Sequence, residues 1–109
     1  MNKNIIKVTV DRPLGSKHPE YDMIYPVNYG YVEGIFAGDG EEQDAYILGI
    51  DEPLSEFTGN LIAIVHRRND NEDKWVVTPA GMNFNEDEIR NQLCFQEKYF
   101  DSTIEMLNI

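Results

Sequence analysis

About five short β-rich runs, each cut off by proline, glycine or a block of carboxylates, restrict this chain to a small sheet or barrel of short strands. Residues 5–10 (Ile-Ile-Lys-Val-Thr-Val) read as the first strand, which stops where Pro13, Gly15 and Pro19 forbid its continuation. Residues 25–32 form a second, aromatic run. Residues 45–50 are almost continuously apolar, which predicts a strand buried on both faces, and Asp51, Glu52 and Pro53 turn it outward. Residues 61–66 begin another buried strand, and residues 74–78 follow across the charged loop 67–73, which predicts a hairpin. Closing five such strands into a barrel removes the exposed edges that an open sheet of this size would present.

The period then changes from two to 3.6. Asn85 with Glu88 three residues later makes a capping box, and Glu86 and Asp87 add negative charge to the first turn. Ile89, Leu93 and Phe100 fall in one narrow sector of the helix that follows, so that stripe is expected to lie on the barrel. The expected architecture is mainly β (α+β), a five-stranded OB-like β-barrel with a C-terminal α-helix. At 109 residues the chain makes one domain, residues 1–109, with a single modest core.

Charge narrows the chemistry. Twenty acids stand against nine bases, a net charge of −11, which disfavours nucleic acid and anionic membranes as partners and favours divalent cations. An OB-like nucleic-acid binder could use the aromatic run for base stacking, but the same charge argues against it. No stretch is long enough to span a membrane and no leader pattern opens the sequence, so a cytoplasmic location is the expectation. The one cysteine, Cys94, forbids an internal disulfide and reads as a packing residue. The sequence leaves oligomeric state open, a homo-oligomer included.

The chemistry concentrates in residues 25–44. Tyr25-Pro26-Val27-Asn28-Tyr29-Gly30-Tyr31 leads into Gly38-Asp39-Gly40-Glu41-Glu42-Gln43-Asp44. So many carboxylates on one loop repel one another unless solvent or a cation neutralises them. In an extended segment Asp39 and Glu41 share a face, and Asp44 reaches in at the strand start; hard oxygen donors of this kind suit Mg²⁺ or Mn²⁺. Asp70, Glu72 and Asp73 form a second acidic cluster, and two acidic loops at one end of a barrel could hold metal ions and activate a water. Solvated acidic turns are the alternative in a chain so rich in carboxylates. Arg12, Lys17, Arg67, Arg68, Lys74 and Lys98 are the available phosphate binders, with Arg12 and Lys17 flanking a turn whose amides could face an anion. His18 reads as structural and His66 as a core or rim histidine. No nucleophile triad, zinc spacing or P-loop is present.

These residues resemble the soluble, Mg²⁺-dependent (family I) inorganic pyrophosphatases. The resemblance is densest in the run 25–31 and in Asp39-Gly40-Glu41-Glu42-Gln43-Asp44, which is similar to that family's Asp-Gly-Asp-Pro-x-Asp motif. Asp70 and Asp73 before Lys74-Trp75-Val76-Val77 look like its acidic hairpin, and residues 92–101 like its last helix. The resemblance implies that Asp39, Asp44, Asp70 and Asp73 are metal ligands. Glu41 would stand in the place of the central Asp that helps ionise the attacking water. Tyr29 and Tyr99 would donate to substrate oxygens, Lys74 would lie near a phosphate, and Tyr29, Glu41 and Asp44 would form the catalytic set. Arg12 and Lys17 are the further substrate-binding candidates.

The resemblance further implies hydrolysis of pyrophosphate, or another small phosphoanhydride, by in-line attack of activated water with Mg²⁺, Mn²⁺ being an alternative ion. Glu41 and Glu42 depart from the motif, and Phe100 takes the place of a phosphate-binding lysine. Those departures motivate the rival expectation, a barrel that binds metal or a phosphorylated ligand without turnover.

Overall fold

The computed structural model describes residues 5–20, 22–38, 40–68 and 72–107. The β-rich runs become β1 (Ile5–Arg12), β2 (Asn28–Phe36), β3 (Glu42–Ile47), β4 (Glu56–Arg67) and β5 (Asp73–Thr78). The helix α1 (Glu86–Glu97) follows, and β6 (Ser102–Met106) closes the described chain.

Strand order runs β1-β2-β3-β5-β4, and β4 pairs back onto β1, so five strands close into a barrel. The pairing is antiparallel except between β3 and β5, where Tyr46 stands beside Val76 in a parallel ladder. β4 is long enough to serve two partners on one edge. Its first half pairs β1 (Ile6 with Gly59), and its second half pairs β6 (Val65 with Ile104).

The architecture is the expected barrel with one helix, with two differences. A sixth strand follows α1, so the helix is not the last element. Phe100 also lies beyond the helix, which ends at Glu97. The buried stripe of α1 is Ile89, Leu93 and Glu97, a four-residue spacing that keeps each above the last on one face. The capping box forms as expected: Glu88 N–H donates to Asn85 Oδ1 and Asn85 N–H to Glu88 Oε1, each at 2.8 Å.

Alternation along the strands sorts the core into two layers. Ala45, Ile47, Val77, Val8, Val32 and Leu61 pack together inside the barrel. Tyr46, Leu48, Val76, Ala63 and Val65 point the other way and receive Ile89 and Leu93 from α1. Residues 45–47, the second half of β3, are therefore buried on both faces, which is why the sequence turns apolar there, while the strand itself opens earlier on Glu42, Gln43 and Asp44.

Two residues of the aromatic run fix how the barrel closes. Gly30 lies against β1 so tightly that a Cβ there would stand 1.9 Å from the Thr9 carbonyl oxygen, so only glycine fits. Asn28 is fully buried; its Oδ1 accepts from Leu14 N–H at 2.9 Å and Leu54 N–H at 3.0 Å, and its Nδ2 donates to the Glu52 carbonyl at 3.0 Å. One side chain thus ties two loops to the end of β2. Between Gly15 and Tyr25 the chain makes a small hairpin arm, with Lys17 bridged to Ile24 and His18 N–H donating to the Met23 carbonyl at 2.8 Å.

Candidate active-site cleft

The helix-covered face of the barrel turns polar beyond the end of α1, and each strand supplies its polar residue two positions from a core residue. Tyr46 is followed on its face by Asp44, Val76 by Lys74 and then Glu72, and Val65 by Arg67. Tyr29, paired with Tyr46 across the β2–β3 ladder, completes the floor. The arm 15–25 and the residues just after α1 wall a cleft of about 620 Å³ over this floor, with Arg12, His18, Tyr25, Gln96, Tyr99 and Phe100 among its lining. A smaller, more apolar cavity of about 290 Å³ lies between α1 and β6, with Arg90, Glu97, Lys98 and Asp101 among its lining.

Lys74 is the hub. Its side chain is 4% exposed, and its Nζ donates to Asp44 Oδ2 at 2.5 Å, to the Tyr29 hydroxyl at 3.0 Å and to Glu72 Oε1 at 3.2 Å. Arg67, equally buried, donates through Nε and Nη2 to the two oxygens of Glu97 at 3.1 and 2.7 Å, and its Nη1 stands 3.7 Å from Glu72 Oε2. The Phe100 ring lies 3.7 Å beneath its guanidinium. A second layer holds Glu97: the Tyr46 hydroxyl donates to Oε2 at 2.7 Å, and Gln96 Nε2 donates to that hydroxyl, also at 2.7 Å.

The tyrosines are held in their protonated form. Burial pushes the Tyr29 phenol far above its usual range, and the negative charge of Asp44 adds to the shift. Burial and then the Glu97 carboxylate do the same to Tyr46. Tyr25 is also raised by burial, against the opposing charge of Arg12, and burial raises Asp11 at the cleft edge. Tyr29 accepts from Lys74 Nζ, and its hydrogen bond with the Asp44 carboxylate also favours the protonated phenol.

The structure brings together Tyr29, Asp44, Lys74, Arg12 and Tyr99 of the residues singled out in the sequence. It leaves others elsewhere. Glu41 is exposed on the β2–β3 loop, is not among the residues lining the cleft, and contributes its carbonyl to Ala37 N–H at 2.8 Å. Lys17 is exposed on the arm and does not line the cleft. Asp73 lies on the opposite face of β5 from Lys74, accepting from His66 Nδ1 at 3.0 Å. Asp39 and Asp70 lie outside the described residues.

The sequence names Glu72 only within the second acidic cluster and Arg67 only among the available phosphate binders, and both line the cleft; Glu97, which it does not name, clamps Arg67. Each had a signal. Glu72 lies two residues from Lys74, and so on its face if the strand's alternation is continued backward. Glu97 continues the apolar stripe 89, 93 with a charge, which demands a buried partner.

Among the described residues no three His, Cys, Asp or Glu side chains are grouped so as to hold a metal ion by themselves. Asp44 and Glu72 do converge on one ammonium, from 2.5 and 3.2 Å. Two carboxylates suit Mg²⁺, which binds through one or two carboxylates and completes its shell with water and substrate phosphates. In the structure it is the Lys74 ammonium that these two carboxylates share.

A closed five-stranded barrel with a helix-flanked cleft of interleaved carboxylates, cations and tyrosines defines the class. Its fold is that of the inorganic pyrophosphatases. An inorganic pyrophosphatase from Ehrlichia chaffeensis superposes with a TM-score of 0.75 over 97% of this chain and 88% of that one, at 15% identity. One from Coxiella burnetii gives 0.69 over 97% and 85% at 14% identity, and one from Thermus thermophilus 0.64 over 97% and 82% at 12%. No family model and no curated protein matches the chain by sequence. The likeness is therefore one of fold, retained at strong sequence divergence.

Proposed function

We propose that the cleft hydrolyses a small phosphoanhydride, pyrophosphate foremost, with a divalent cation such as Mg²⁺. The observation that carries this reading is the Asp44–Lys74–Glu72 cluster beside Tyr29, placed at the mouth of a barrel whose structural matches are inorganic pyrophosphatases. Asp44 and Glu72 would hold the ion; Asp39 and Asp70 stay proposed ligands on the strength of their motifs. When bound, such an ion supplies neutralisation of phosphate charge and a lowered water pKa.

The chain's own residues provide the rest. Lys74, Arg67 and Arg12 place positive charge around the anion, and the protonated Tyr29 donates a hydrogen bond to a phosphate oxygen. Water adds to one phosphorus in line as the bridging oxygen leaves; the water's protons pass to a cleft carboxylate and to the departing phosphate, giving two phosphates. Phosphate release from pyrophosphate with Mg²⁺ or Mn²⁺, abolished in Asp44→Asn, tests the proposal. No release by protein that demonstrably binds Mg²⁺-pyrophosphate would overturn it.

A second reading is favoured by one observation. Glu41, which would replace the water-activating Asp, is exposed on its loop and does not line the cleft. With that carboxylate outside the cleft lining, the cleft would bind a phosphorylated ligand without turning it over. Calorimetric affinity with no hydrolysis across several phosphoanhydrides would select this reading; multiple turnover would exclude it.

A further inference from the structure

Gln96, in the last turn of α1, lines the cleft and joins two tyrosines through the two ends of its amide. Its Nε2 donates to the Tyr46 hydroxyl at 2.7 Å, and its Oε1 accepts from the Tyr25 hydroxyl at 3.4 Å. The direction of each bond is fixed. Tyr46 gives its one proton to Glu97 Oε2 at 2.7 Å, so towards Gln96 it can only accept. The amide must therefore present nitrogen to Tyr46, which leaves its oxygen for Tyr25. The Arg12 guanidinium also hydrogen-bonds the Tyr25 hydroxyl, and Arg67 donates twice to Glu97. An ordered chain thus runs from Arg12 through Tyr25, Gln96, Tyr46 and Glu97 to Arg67, with Gln96 at its midpoint. A carboxylate at that midpoint would offer only acceptors, and an apolar side chain neither role.

Tyr25 also closes the arm. Its carbonyl accepts from Gly15 N–H at 2.8 Å, its N–H donates to the Ser16 carbonyl at 2.9 Å, and its buried ring packs on Tyr29 and Phe95. Gln96 therefore ties the arm to the helix end and, through Glu97, to the cleft floor. We propose that Gln96 is a positioning residue that holds Arg12 and Arg67 in fixed relation, and that this relation selects anions with two linked phosphoryl groups over a single phosphate. The inference rests on the reading that the cleft takes phosphate anions, and not on turnover. Arg12 stands at the root of the arm, at the end of β1, and Arg67 at the end of β4 on the floor. A diphosphate engages both guanidiniums only while their separation is held, whereas a single phosphate engages one and is indifferent to the other. Preorganisation favours the ligand that needs both contacts at once.

The test is isothermal calorimetry with Mg²⁺ and two probes: inorganic phosphate, and methylenediphosphonate, whose P–C–P bridge resists hydrolysis. Gln96→Leu keeps much of the volume and removes both hydrogen bonds. It should weaken methylenediphosphonate binding about tenfold, the size of one hydrogen bond to a charged group, and leave inorganic phosphate within about twofold. Tyr25→Phe cuts the same chain one link away and should show the same selective loss. The double variant should lose no more than either single one, because both act through one chain. Circular dichroism verifies that each variant is folded. Equal losses for the two probes, no loss in the folded single variants, or additive losses in the double variant would each overturn the inference. Unaltered protein that binds neither probe would overturn the phosphoanhydride reading together with it. Selective loss in a protein that does not hydrolyse pyrophosphate would support this inference and remove only the enzymatic one.

Discussion

Arg67 and Glu97 meet through two parallel hydrogen bonds, Nε to Oε1 at 3.1 Å and Nη2 to Oε2 at 2.7 Å, with both side chains almost wholly buried. The pair is the polar joint between the last turn of α1 and the end of β4, and it holds Arg67 at the cleft floor. Glu97→Ala would take from a buried guanidinium its two-pronged carboxylate partner, so a loss of about 3–5 kcal/mol in urea unfolding is expected. Arg67→Met combined with Glu97→Leu should recover most of it, since no buried charge is left uncompensated. A loss well under 1 kcal/mol for Glu97→Ala would show that the joint does not stabilise the fold.

Asn28 carries three hydrogen bonds in a site with no solvent access. Asn28→Ala leaves Leu14 N–H, Leu54 N–H and the Glu52 carbonyl without their partner. An expected cost of about 3 kcal/mol follows from one to a few kcal/mol per orphaned group, partly offset by water entering the cavity. Equilibrium unfolding measures it, and hydrogen exchange should show the Leu14 and Leu54 amides losing protection first.

Lys74 joins Asp44, Tyr29 and Glu72, so on the proposed hydrolysis Lys74→Met should lower kcat/KM by about 100-fold. Lys74→Arg should not rescue it, because a planar fork does not fit a side chain 4% exposed among three fixed acceptors. Initial rates at saturating Mg²⁺ decide this, and a full rescue by arginine would show that only charge matters there.

His66 offers a pH-dependent clasp across three strands, on the face opposite the cleft. Nε2 lies 2.8 Å from Glu105 Oε1 on β6 and Nδ1 lies 3.0 Å from Asp73 Oδ1 on β5. The hydrogen bond to Glu105 raises the imidazole pKa most, burial opposes it, and Asp73 adds to the rise. The folded pKa is above the unfolded one, so this stabilisation is full below the unfolded value of about 6.5 and is lost as pH rises through the folded value. The difference in Tm between the unaltered protein and His66→Gln should be larger at about pH 5.5 than at about pH 9. A difference independent of pH would rule out the charged clasp.

Much of the fold was legible because it is written in local patterns. The capping box of Asn85 and Glu88, the glycine-proline break after Val10 and the apolar run of β3 each have a physical meaning within a few residues of chain. β6 was not legible: Ser102-Thr103-Ile104-Glu105-Met106 is short, half polar, at most half-buried, and held by pairing with β4. Period alone also carried the helix stripe to Phe100, where the structure ends the helix at Glu97 and puts Phe100 under Arg67.

The sequence by itself determined the barrel's five strands and its acidic character, because alternation, turn residues and charge are properties of neighbouring positions. Only the tertiary structure decided which carboxylates share a cleft. Asp73 turned out to His66, while Glu72 turned in to Lys74 and Arg67, a one-residue difference that reverses the face. The same holds for Glu97, whose partner lies thirty residues earlier in the chain. Such pairings depend on how strands and helix close over one another, and no local pattern encodes that.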